Sequence, residues 1–188
     1  MKTRIVLLLV ILLLILGGAV YYYKFYQPIL PVENENTNTA LITNFEECVV
    51  AGNPVMESYP RQCRANGQNF TEYIGNELEK TDLIKIDSPR PNAIVTSPLE
   101  ISGQARGTWY FEASFPVKLL DANGNEIPLS PPYIMTTEEW MTEDFVPFKA
   151  TLEFEAPTTD TGTLVLEKDN PSGLPENDDS LIVPVRFR

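Results

Sequence analysis

The chain has 188 residues, 43% of them hydrophobic and only 21% charged, with a net charge of −12 and no histidine. That is room for one ordinary domain with attachments. It excludes Ser-His-Asp and Cys-His chemistry and any His-ligated metal, and its negative field repels nucleic acid.

Met1-Lys2-Thr3-Arg4 is short and basic, and Ile5 to Tyr23 follows as 19 residues without a charge. As a helix this run spans about 28 Å, close to a bilayer core of about 30 Å. It ends in Tyr21, Tyr22, Tyr23, Lys24, Phe25 and Tyr26, residue types suited to the headgroup region. Residues 1–26 are therefore predicted to be a membrane anchor with the N-terminus in the cytoplasm and the rest of the chain outside. The rival reading is a cleaved signal peptide, with Gly17 and Ala19 as the small residues before a cut. All 26 acidic residues lie beyond Gln27, so the remainder should resist anionic lipid headgroups.

Residues 27–43, with two prolines, repeated Asn and Thr and no periodicity, read as a linker. Residues 44–73 read as a compact module built on the two cysteines of the protein, Cys48 and Cys63. On the outer side of a membrane a disulfide between them is expected. Closing that loop contributes about 3 kcal/mol, which a segment too small for its own core needs. Phe45 to Val49 predicts one helical turn, and Asn66-Gly67 predicts a tight turn. The module is similar to a short two-cysteine motif recurring in bacterial surface proteins, through Gly52, Pro54, Met56, Glu57, Ser58, Pro60 and Cys63.

From Leu83 onward short β-type runs alternate with turn residues. They are Leu83–Ile86, Leu99–Ala105, Phe115–Leu120, Thr151–Glu155, Thr163–Glu167 and Leu181–Phe187. Asn123-Gly124 is a hairpin signal. Leu152 and Phe154 should point inward, and Pro184 should lie at an edge or bulge. About seven short strands in residues 83–188 predict an all-β, immunoglobulin-like antiparallel sandwich.

Three blocks in this region carry a family resemblance. They are Ile86-Asp87-Ser88-Pro89-Arg90-Pro91-Asn92, Val95–Leu99 and Ser102–Val117. Together with Trp140–Phe148 and Glu167–Gly173, they resemble the Gmad-type domain, the immunoglobulin-like domain of bacterial spore-germination proteins. The resemblance implies a sandwich in a bacterial envelope protein, with no catalytic residues to carry over.

Trp109, Tyr110 and Phe111, with Trp140, form the candidate binding face. In a strand, successive side chains alternate between faces, so at least one of the three consecutive aromatics should be exposed. Such aromatics suit a protein or glycan surface; the competing reading places Trp109 in the core. Glu138, Glu139, Glu143 and Asp144 are paired carboxylates of a kind glycosidases use. The oxygen-rich loop 167–179 could hold calcium, although it lacks an Asp-x-Asp-x-Asp-Gly series. No nucleotide signature is present, and no cofactor or metal is assigned. The function expected is that of a membrane-anchored, non-catalytic binding or assembly module contacting an envelope protein or a cell-wall glycan. The alternatives are a carbohydrate-active enzyme or accessory, or a calcium-stabilised spacer.

Overall fold

A computed structural model describes residues 20–22, 24 and 41–187. The expected anchor and linker therefore lie almost wholly outside the described residues. Among the described residues no helix is long and apolar enough to cross a membrane. Residues 43–188 form one compact unit, which holds everything discussed below.

The second unit begins with a capped helix. Asn44 Oδ1 accepts from the Glu47 amide at 2.8 Å, and Glu47 Oε2 reaches back to the Thr43 amide at 2.7 Å. This reciprocal pairing satisfies donors that a helix start leaves open. Helix α1, Phe45–Val50, turns Phe45 and Cys48 inward. Three short strands follow: β1 (Val55–Met56), β2 (Gln62–Ala65) and β3 (Gln68–Thr71), paired antiparallel in that order. Asn66 and Gly67 both take positive φ between β2 and β3, as a tight hairpin requires. A disulfide joins Cys48 of α1 to Cys63 of β2, and both cysteines are buried.

A four-residue helix, α2 (Glu77–Lys80), leads into the sandwich. One sheet holds β4 (Ile84–Ser88), β5 (Leu99–Arg106) and β9 (Phe145–Leu152). The other runs β11 (Ser180–Arg186), β10 (Thr161–Glu167), β6 (Ser114–Asp121) and β7 (Glu126–Ile127), with β8 (Tyr133–Met135) also pairing β6. Every strand pairing is antiparallel. The inward residues alternate along β5, β6 and β10, as period-2 side-chain geometry demands. Ile84, Ile86, Ile101, Phe115, Leu119, Leu152, Leu164 and Leu166 form the centre of the core.

Two expectations need correction. The strand expected at Thr151–Glu155 starts at Phe145 and ends at Leu152. Its inward series is Val146, Phe148, the half-buried Ala150 and Leu152. Pro147 disguises that alternation, yet it is tolerated because β9 is an edge strand and a missing N–H there breaks no ladder. Phe154 lies past the strand, half-buried, with its ring edge-on to Phe187 at 6.1 Å.

Pro184 does occupy an edge strand, β11. The free side of that strand is nevertheless covered. Asn76 Nδ2 donates to the Ser180 carbonyl at 2.9 Å, and Asn76 Oδ1 accepts from the Ile182 amide at 2.7 Å. Further along, the Asn92 amide donates to Pro184 O, the Arg186 amide to Ala93 O, and the Val95 amide to Arg186 O. Pro184 thus brings no orphan donor to an edge that would otherwise invite pairing with another chain.

Gly75 makes this contact possible. Its φ is +74°, and a Cβ there would fall 1.8 Å from the Ile182 carbonyl oxygen. Two buried carboxylates complete the joint between the cysteine module and the sandwich. Glu72 takes a two-pronged contact from Arg61 at 2.8 and 2.6 Å and a third bond from Asn92 at 3.1 Å. Glu77 pairs with Arg90 at 2.7 Å and accepts from the Tyr59 hydroxyl. Arg90 also donates to Tyr59 Oη and to the Ile86 carbonyl, each at 2.6 Å.

Candidate binding face

The structure separates the four aromatics expected to form one face. Trp109 sits in a 3₁₀ turn, Gly107–Trp109, not in a strand. The turn breaks the expected alternation, so Trp109 and Tyr110 are both buried, at 1% and 3% exposure. Tyr110 packs edge-on against Phe115 at 5.2 Å and donates its hydroxyl to the Val146 carbonyl at 2.9 Å. Burial pushes its phenol above the ordinary range. Trp109 is a core residue, and Tyr110 is a core residue that only borders the surface cleft beside Trp140.

Phe111 and Trp140 do come together. Phe111 is 40% exposed, Trp140 is half-buried, and their rings meet edge-to-face at 6.4 Å. Gly107 lets the Trp140 loop approach this closely, because a Cβ there would lie 2.0 Å from Thr142 O and 2.2 Å from Trp140 O. A shallow cleft of about 430 Å³ lies here, lined by Gly107, Tyr110 and the loop from Trp140 to Glu143.

Strand register extends the face beyond what the sequence suggested. Phe111 bridges Ser114 through paired backbone bonds of 3.0 and 3.1 Å. Ser114 is in turn opposite Met135, and Pro116 is opposite Tyr133. Directly paired residues share a face, as do residues two apart. Phe111, Met135 and Tyr133 therefore line one surface, with Ser114 and Pro116 between them. Met135 is 54% exposed and Tyr133 45%, while Phe115 and Ile134 point the other way into the core. The strip was hard to read in the sequence because β8 has three residues, with one buried side chain between two exposed ones.

The turn that presents Phe111 is strained. Glu112 and Ala113 both have positive φ, 50° and 61°. Two-residue hairpins of this shape favour Asn-Gly, and a residue with a Cβ in the left-handed region costs about 1–3 kcal/mol.

The acidic residues flank the strip without forming a closed site. Glu138, Glu139, Glu143 and Asp144 are all exposed, and Glu139 accepts from the Met141 amide at 3.0 Å. In the 167–179 loop three of the carboxylates are engaged by the protein. Glu167 pairs with Lys118 at 2.7 Å, Asp179 with Lys80 at 2.5 Å, and Asp178 accepts from Asn170 at 2.7 Å. Asp169 is pushed above the usual carboxylate range, first by burial and then by the neighbouring Glu112 charge. Among the described residues no group of three or more acidic or cysteine side chains is placed to hold a metal ion.

Two antiparallel sheets around one core, with short turns and an exposed apolar strip at one edge, define an immunoglobulin-like β-sandwich. More particularly, residues 83–173 match the family model of Gmad2, the immunoglobulin-like domain of bacterial spore germination. The match holds most of the sandwich and ends before β11. It is a domain type without catalysis of its own. No curated protein and no solved structure matches the chain.

Proposed function

We propose that the chain is an anchored protein of a bacterial cell envelope. Its N-terminal span would cross the membrane once, with Lys2 and Arg4 inside and the sandwich outside. There the sandwich binds a partner protein or a cell-wall glycan and carries out no reaction. The observation that carries this reading is the apolar strip of Phe111, Tyr133 and Met135, exposed on the edge of an otherwise acid-rich domain. An exposed patch of large apolar side chains is what a binding surface needs and what a spacer has no use for. Location is supported by the uncharged run Ile5–Tyr23 and by the buried disulfide, which suits an oxidising compartment.

The mechanism is display: the anchor fixes position, the linker sets reach, and the strip makes contact. A photo-reactive amino acid at position 135 in intact cells tests it, with the same probe at the exposed Glu126 as control. The expected outcome is a discrete cross-linked species from position 135 alone, together with digestion of a C-terminal tag by protease added outside. A tag protected by an intact cytoplasmic membrane, or identical cross-linking from both positions, would refute it.

A further inference from the structure

Resting on that reading of the sandwich as a binding module, we infer that the strip takes a cationic polypeptide segment with an apolar anchor. The partner's chemistry follows from what surrounds the rings. Glu112 lies in the turn beside Phe111, and Glu138, Glu139 and Glu143 lie in the loop that carries Trp140 and Met141. None of these four carboxylates is in an ion pair among the described residues.

The neighbouring cations make no ion pair with these four carboxylates. Arg106 lies over the Phe145 ring at 4.2 Å and donates to the carbonyls of Asp82 and Glu143, each at 3.0 Å. Lys85 lies over the same ring at 4.4 Å, and Lys118 is paired with Glu167. Arg106 and Lys85 both keep their positive charge, but Glu112, Glu138, Glu139, Glu143 and Asp144 outnumber them, so the strip's surroundings stay net negative.

An apolar centre with a charged rim is the usual anatomy of a protein interface. Carboxylates in that rim accept from Lys or Arg and repel acidic partners. A neutral glycan would gain stacking from Phe111 and Trp140 but would find acceptors only in the rim side chains. The strip and the loop beside it expose two methionines, Met135 and Met141, whose unbranched thioethers adapt to a peptide side chain. The strained Glu112-Ala113 turn, which holds Phe111 outward, is a cost that contact with a partner would justify.

Binding to the full-length chain in mild detergent tests the inference. The probes are a fluorescent lysine–leucine–tryptophan peptide, its glutamine-for-lysine twin, and a labelled peptidoglycan oligosaccharide. The lysine peptide should bind, and its twin should bind at least about tenfold more weakly. Phe111→Ser with Met135→Ser should weaken binding about tenfold or more, as loss of a buried anchor does. Glu112→Gln with Glu139→Gln and Glu143→Gln should do the same, whereas Glu57→Gln with Glu126→Gln and Glu155→Gln should cost less than about twofold.

Absence of lysine-peptide binding overturns the inference, and so does equal loss from both glutamine triples, which would mean only a general acidic field. If the oligosaccharide binds and Phe111→Ser abolishes it while the peptide does not bind, the cationic partner is wrong and the binding module stands. Circular dichroism checks folding, and Met135→Ser alone replaces the double variant if that variant is unfolded.

Discussion

The joint between the cysteine module and the sandwich uses the same ingredients as the aromatic strip and treats them differently. At the joint, carboxylates stand beside aromatic rings and each has a cation. Glu72 has Arg61, Glu77 has Arg90, and the Tyr59 ring lies under the Arg90 guanidinium at 5.2 Å. At the strip, the carboxylates of Glu112, Glu139 and Glu143, neighbours in sequence of Phe111 and Trp140, form no ion pair among the described residues. The first region is completed by the chain itself. The second is, on the proposed reading, completed by another molecule, and it carries backbone strain in the Glu112-Ala113 turn. Polar groups satisfied internally tie two pieces of a protein together; polar groups left open around apolar surface mark a place of contact.

The largest effect that would break this contrast is at the joint. Gly75→Ala places a methyl group on the Ile182 carbonyl in a backbone conformation unfavourable to alanine. We expect a loss of about 3–5 kcal/mol in urea unfolding, and a change under about 1 kcal/mol would mean the joint is not tight. Replacing both Cys48 and Cys63 by Ser should cost about 3 kcal/mol, read by the same method. A cost near zero would show that the joint alone holds the module.

Acid should act on the joint through Glu72. Its hydrogen bonds from Arg61, opposed by burial, hold the carboxyl below the usual glutamate range. The stabilisation it supplies is therefore complete above the ordinary glutamate pKa and is lost as pH falls from there through the lower folded value. Glu72→Gln should cost about 1–3 kcal/mol at neutral pH and flatten the acid limb of a melting-temperature profile. An unchanged acid limb would assign the pH dependence to other groups.

The smallest effects are expected at the strip and have the opposite sign. Ala113→Gly relieves a positive-φ residue and should raise stability by about 1 kcal/mol. Asp169→Asn should also stabilise above the ordinary aspartate range, since a carboxyl whose folded pKa is raised opposes folding once ionised. Its benefit should vanish as pH falls below that range. Destabilisation by Ala113→Gly at neutral pH in thermal melts would mean the turn is not strained, and destabilisation by Asp169→Asn that burial and Glu112 do not disfavour that carboxylate.

The sandwich was largely legible in the residues. Alternating apolar runs gave β5, β6 and β10, the Asn66-Gly67 pair gave a hairpin, and Pro184 pointed to an edge. β9 was hidden by Pro147 and by the acidic run before it, and β8 was too short to carry a period. At the site, Phe111 and Trp140 were legible as candidates. The core reading of Trp109 holds, whereas alternation, which assumes a strand, did not foresee that a 3₁₀ turn buries Tyr110 beside it. Tyr133 and Met135 carried no signal of their own.

What the sequence determined alone is what local periodicity and composition encode. That includes the β class, the disulfide between Cys48 and Cys63, the edge position of Pro184 and the likeness to the germination domain. What only the tertiary structure decided is which distant residues meet. Register brings Tyr133 and Met135 into line with Phe111, and Gly75 lets Asn76 lie along β11, so that Glu72 and Glu77 can meet Asn92 and Arg90. These depend on chain reversals and on close approaches of backbone to backbone. A residue's identity fixes its own conformational preferences, but the neighbour it will face is set by the packing of the whole.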